Sequence, residues 1–171
     1  MELWDLYDEN RNKLERIGVR GEAIQNGEFH LVASAWIYND NKEFLISKRA
    51  LNKRKPLKWE ATTGSALLGE NTLDAAVREI KEELGIDVKK EDGVLLGTKV
   101  RKDKECPDIF DVYIFKNNIP IESVTIQKEE VCDVKWATAD EIRKIVADGN
   151  FNNPNVLLSE ALKFPYNYWK M

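Results

Sequence analysis

Apolar and polar positions change period several times along this chain, and each change marks an element. Residues 3–7 alternate apolar and acidic side chains and predict a first strand, closed by the polar cluster at 8–12. Residues 16–27 are polar and carry Gly18, Gly21 and Gly27, which predicts a loop or turn-rich connection. The runs at 30–38 (HLVASAWIY) and 43–48 (EFLISK) flank the turn at 39–41 and predict a hairpin. A short strand is expected at 59–63, a loop at 65–71 and a helix at 72–84. Further strands are expected at 94–101, 109–115 and 131–136. Thr138 and Glu141 form a capping box for a helix with Ile142, Ile145 and Val146 on one face and Gly149 beyond its end. Asn152-Asn153-Pro154 breaks the chain before a last helix at 156–163. Mixed strands with a few helices, in this order, predict the α/β class: an α/β/α sandwich with a mixed β-sheet.

Composition narrows the setting. A length of 171 residues suits one domain, expected to span 1–171, with enough chain to bury a sizeable core. Hydrophobic residues at 43% and charged residues at 33% fit a soluble globular chain rather than a disordered one. A net charge of −4 supplies no basic field to recruit nucleic acid. The start, MELWDLYDEN, has no signal-peptide pattern, and no apolar run approaches the length of a membrane span, so a cytoplasmic protein without membrane contact is expected. Cys106 and Cys132 are far apart and outside any C-x-x-C pattern, which argues against a disulfide or a zinc site.

The chemistry concentrates in residues 64–86. At about 100° per residue, Leu73, Ala76, Val77, Ile80 and Leu84 fall on one side of the predicted helix, a core-facing stripe. Glu79, Glu82 and Glu83 gather on another side. Three carboxylates within one turn repel each other in water, and Mg²⁺ or Mn²⁺, which prefer clustered oxygen ligands, would resolve the repulsion. Arg78, four residues before Glu82, can hold that carboxylate by charge pairing. Gly85 is placed to end the helix in the left-handed conformation.

Gly64, Glu70, Arg78-Glu79-Ile80, Glu82-Glu83 and Gly85-Ile86 match, at every defined position, the Nudix box G-x5-E-x7-R-E-U-x-E-E-x-G-U, where U is aliphatic. The chain therefore resembles the Nudix hydrolase superfamily. WDLYDENRNK, the stretch FHLVASAWIYNDNKEFLISKRALNKRKPLKWE and EVCDVKWATADEI extend the likeness to the branch that includes isopentenyl-diphosphate isomerase. The resemblance implies the Nudix α/β/α sandwich. It also implies Mg²⁺- or Mn²⁺-dependent hydrolysis of a diphosphate linkage in a nucleoside di- or triphosphate, or in a nucleoside diphosphate joined to another moiety. An isomerase needs a Cys before the box Gly and a His soon after it. Here Thr63 precedes Gly64, Ser65 and Ala66 follow it, and His30 is the chain's one histidine. An isomerase-like enzyme and a non-catalytic nucleotide-binding module are the alternative readings.

Carried over position by position, the resemblance implies metal ligation by Glu79, Glu82, Glu83 and a carbonyl near Gly64, with Glu70 supporting the site through Arg78. Gly64 and Gly85 then serve backbone geometry. Two origins stay open for the general base: a box carboxylate, Glu82 or Glu79, or the loop residues Glu129 and Glu130. The basic run at 48–58 offers Arg49, Lys53 and Lys58 to substrate phosphates, and Arg49 ranks first because a guanidinium forks onto phosphate oxygens. A solvated basic surface is the plainer account of the same run. For His30 a structural hydrogen-bonding role is expected, and Trp36, Trp59 and Trp136 are core or rim aromatics. The partner is a small diphosphate compound of undefined identity, and a homodimer is compatible with the family.

Overall fold

The computed structural model describes residues 1–102, 105–153 and 157–167. Its described elements are β1 (Leu3–Tyr7), β2 (Lys13–Val19), β3 (Phe29–Tyr38), β4 (Phe44–Arg49), β5 (Trp59–Glu60), β6 (Thr62–Ser65), α1 (Thr72–Leu84), β7 (Val94–Arg101), β8 (Asp108–Lys116), β9 (Val131–Ala137), α2 (Ala139–Ala147) and α3 (Leu158–Asn167). The spine is β3. On one edge β8 runs parallel to it, from His30 opposite Asp108 to Tyr38 opposite Lys116. The other edge is shared in turn by β1, β6 and β4, all antiparallel. β2 extends the sheet beyond β1, β9 and β5 pair with β4, and β7 pairs with β8.

Because β3 is covered on both faces, it reads as a nearly continuous apolar run rather than an alternating one. Phe29, Leu31, Ala33, Ala35 and Ile37 pack with Ala75, Ala76, Ile80 and Leu84 of α1. Val32 and Trp36 face the opposite way, into a second core with Ala139 and Ile142 of α2 and Ala161 and Leu162 of α3. Helices on both faces of a mixed sheet make the expected α/β/α sandwich.

Three expectations need correction. Part of the segment predicted as a loop at 16–27 is strand, since β2 pairs with β1 through Leu3 opposite Val19 and Asp5 opposite Ile17. Gly18 looked like a breaker, yet it serves packing: a Cβ there would lie 3.0 Å from Leu6 Cδ2. The short strand at 59–63 is two strands. Glu60 pairs with Ser47 on β4, and after Ala61 the chain crosses to β3, where Thr62 pairs with Ala35 and Ser65 with Val32. The last helix is shifted toward the C-terminus, to Leu158–Asn167, and continues past Pro165. Pro154 and the first residue of that expected helix, Val156, lie outside the described residues.

The helix α1 matches its predicted bounds because both ends are chemically marked. Asn71 accepts a bond from Asp74 N at 2.9 Å and Asp74 reaches back toward Asn71 N, completing a capping box. Gly85, at φ 69°, closes the other end by donating to Lys81 O at 3.0 Å. The buried Thr72 hydroxyl donates to Asp111 Oδ2 at 2.5 Å, and Arg11 and Thr98 hold the same carboxylate, so the helix start is tied to β8. Asn71→Ala removes the cap and is expected to cost about 1 kcal/mol. Thermal melting should show a drop of roughly 2–4 °C.

Candidate active site

Arg78 sits at the centre of the box. Its Nε and Nη2 fork onto Glu70 at 2.9 and 3.0 Å, Nη1 donates to Glu79 Oε1 at 2.8 Å and to Glu82 Oε2 at 3.0 Å, and Nη2 also reaches Ser65 O at 2.9 Å. The guanidinium thus ties the loop before α1 to the helix face and holds three box carboxylates. Despite the desolvation of its partly buried place, Glu70 is held below the usual carboxylate range by Arg78 and by the Leu67 N–H. Arg78 itself is raised by these carboxylates in spite of its own desolvation.

Gly64, on β6, passes so close to α1 that a Cβ would stand 2.0 Å from Glu79 Oε1. The glycine is demanded by this approach. Burial pushes the Glu79 carboxyl up, with Arg78 opposing.

Glu83 is the buried member of the group. Its residue is 7% exposed, and Oε2 is buried with no hydrogen-bond partner. Burial pushes the carboxyl well above the ordinary range, and the charges of Glu79, Glu60 and Glu130 push it further. A buried oxygen left unpaired among like charges is costly as it stands. The donor set, hard carboxylate oxygens crowded together, fits a divalent cation. Among the described residues no three acidic, histidine or cysteine groups already converge on one point. The hydrogen bonds account for this, because Arg78 draws Glu79 and Glu82 toward itself.

These residues line a cleft of about 700 Å³. Gly64, Arg78, Glu79, Glu82 and Glu83 line one part of it, and Arg49 at the end of β4, Lys53 in the loop after β4 and Glu130 in the loop before β9 line another. Lys53 and Glu130 make an ion pair across those two loops. Lys58 is not on the lining, and its ammonium donates to Gly149 O at 2.6 Å. Glu129 is exposed and off the lining, and Gly85 packs against Thr125 at the far end of α1. His30 lines the cleft, stacked on Trp4 with centroids 4.3 Å apart. The Thr63 hydroxyl is engaged with Ala61 O at 2.9 Å and Ser34 Oγ at 3.2 Å. A separate depression of about 620 Å³, lined by Tyr38, Asp92, Lys116 and Phe164 among others, includes no box residue.

Sequence reasoning missed Glu60, Asn152 and Gln127, all on the lining. Only Glu60 left a signal, a charged side chain inside a short strand between Trp59 and Ala61.

A match to the family model described as the NUDIX domain covers residues 28–158. An uncharacterised Nudix hydrolase of Listeria monocytogenes is 38% identical over 154 residues, 88% of each chain. The chain belongs to the Nudix family, and its class is that of a Nudix pyrophosphohydrolase, a hydrolase acting on acid anhydrides. Within the family it stands near the isomerase branch: the isopentenyl-diphosphate Delta-isomerase of Shigella boydii is 26% identical over 123 residues, 66% of this chain and 64% of that one. Thr63 stands where that branch's Cys is expected. A solved structure from Deinococcus radiodurans shares the fold with a TM-score of 0.74 at 18% identity, covering 96% of this chain and 99% of its own.

Proposed function

We propose that the chain hydrolyses the diphosphate linkage of a nucleoside di- or triphosphate, or of a nucleoside diphosphate joined to another group, with Mg²⁺ or Mn²⁺ held by Glu83, Glu79, Glu82 and a carbonyl at Gly64. The observation that carries this is the buried, unpartnered Glu83 Oε2 beside three further carboxylates at a cleft lined by cations. When bound, a divalent ion screens the charge of diphosphate oxygens and polarises the phosphorus under attack.

The chain's own residues do the rest. Arg49 and Lys53 hold substrate phosphates on the wall facing α1, and Arg78 keeps the box carboxylates in place. Glu130 is assigned as the general base: it lines the cleft, and its carboxylate is held by Lys53, which a substrate phosphate would draw away. Glu82, half exposed and bound to Arg78, is the weaker choice.

A panel of nucleoside diphosphates, nucleotide sugars, dinucleoside polyphosphates and coenzymes, each with Mg²⁺ or Mn²⁺, tests the function. Phosphate or nucleoside monophosphate should be released from at least one compound, and a chelator should stop it. Glu130→Gln should lower kcat by roughly 10²–10⁴, the range for a positioned base. Tight binding without hydrolysis across the whole panel would overturn the assignment, as would turnover that survives chelation.

A further inference from the structure

Glu60 lies outside the box, on β5, yet both of its carboxylate oxygens are taken by donors on the cleft wall. Oε1 accepts from Arg49 Nη1 at 2.6 Å, and Oε2 accepts from Asn152 Nδ2 at 2.7 Å. The backbone holds the same three segments together. Glu60 pairs with Ser47 of β4, Trp59 N donates to Asn150 O at 2.9 Å, and Asn152 N donates to Trp59 O at 2.8 Å. Arg49 Nε is fixed as well, on Arg54 O at 2.8 Å. Two of the three guanidinium nitrogens are therefore committed, and among the described residues Nη2 donates no hydrogen bond.

A buried ion pair is a poor device for stability alone, since desolvation offsets most of its attraction. Glu60 is 6% exposed, and burial raises its carboxyl against the pull of Arg49 and Asn152. What the pair does achieve is orientation. A long arginine side chain held in advance loses little rotamer freedom when it meets a ligand.

We propose that Glu60 is a positioning residue, holding Arg49 with Nη2 free, and the Asn152 amide beside it, against a phosphate oxygen of the substrate. The proposal rests on the diphosphate reading given above. It also brings the segment after α2, which the sequence marks only as a chain break, into the substrate wall.

Calorimetric titration with α,β-methylene-ADP and Mg²⁺ tests it. Glu60→Gln has one acceptor oxygen for two donors, so it should weaken binding about tenfold, the loss of one charge-assisted hydrogen bond. In an Arg49→Lys background, which keeps a cation near Glu60 but lacks Nη2, the same change should add less than about twofold, because residues acting through one another are not additive. Wild-type affinity in Glu60→Gln, or a full tenfold loss on top of Arg49→Lys, would overturn the proposal. Should Glu60→Gln fail to fold, Glu60→Asp keeps the buried charge but draws it back by one methylene. It should weaken binding in the folded variant, and unchanged affinity would reduce Glu60 to a structural ion pair. A chain that binds the probe through Glu60 and Arg49 but cleaves nothing on the panel would fail the hydrolase assignment and keep this one.

Discussion

Glu83→Gln is expected to lower turnover by about 10³ or more, since the charge screening at stake is worth several kcal/mol in the transition state. The same substitution should leave the metal-free protein as stable as wild type or more so. Burial and the charges of Glu79, Glu60 and Glu130 raise the Glu83 carboxyl in the folded state. At a pH below the unfolded glutamate value, both states are protonated and the group contributes nothing to pH dependence. As pH rises through that value the unfolded chain ionises first, so stability falls until the folded carboxyl ionises too. Near neutral pH the wild type therefore carries a penalty that the neutral amide lacks. Melting curves in a chelating buffer check the stability, and calorimetry with Mn²⁺ should show weakened ion binding. Full activity in Glu83→Gln would remove the metal assignment, and a collapse of the melting temperature would show that the carboxylate holds the fold.

Gly64→Ala should damage fold and activity together. A methyl group at this position meets Glu79 Oε1 at 2.0 Å, Cδ at 2.1 Å and Cγ at 2.5 Å, all parts of one side chain. Glu79 can yield only by leaving the 2.8 Å bond from Arg78, which also holds Glu70 and Glu82. Overpacking of this kind costs about 1–3 kcal/mol. Displacing a site carboxylate by an ångström should reduce activity ten- to a hundredfold, roughly what misplacement of a catalytic group costs. Kinetics beside thermal melting separate the two effects. A variant that melts several degrees lower with intact turnover would make Gly64 a packing residue only.

Elements with local signals were legible. The strand at 3–7, the helix at 72–84 and the strand at 94–101 match the described bounds, because a two-residue or 3.6-residue period and marked ends are properties of neighbours in sequence. The Glu70–Arg78 pairing was also legible, as an expectation drawn from the box pattern. The strand β2 was not. Its glycine suggested a break, and only contact with Leu6 across the sheet shows why a glycine stands there.

The candidate site divides in the same way. The sequence alone determined the helix, its apolar stripe, its clustered carboxylates and the glycine that ends it, since a periodic pattern and a cap need no distant partner. The sequence also placed Arg49 and Lys53 among the phosphate-binding candidates, and put Lys58 with them. Tertiary structure separated the three: Arg49 at the end of β4 and Lys53 in the loop after it line the cleft, whereas the Lys58 ammonium donates to Gly149 O. It alone made Glu83 a buried, unpartnered oxygen, since burial depends on what α1 packs against. Glu60 became part of the wall only when the chain crossed from β4 to β3 and residues 150–152 closed over β5, contacts between segments 92 positions apart in the case of Asn152. No local pattern encodes such a distance; the packing of the sheet does.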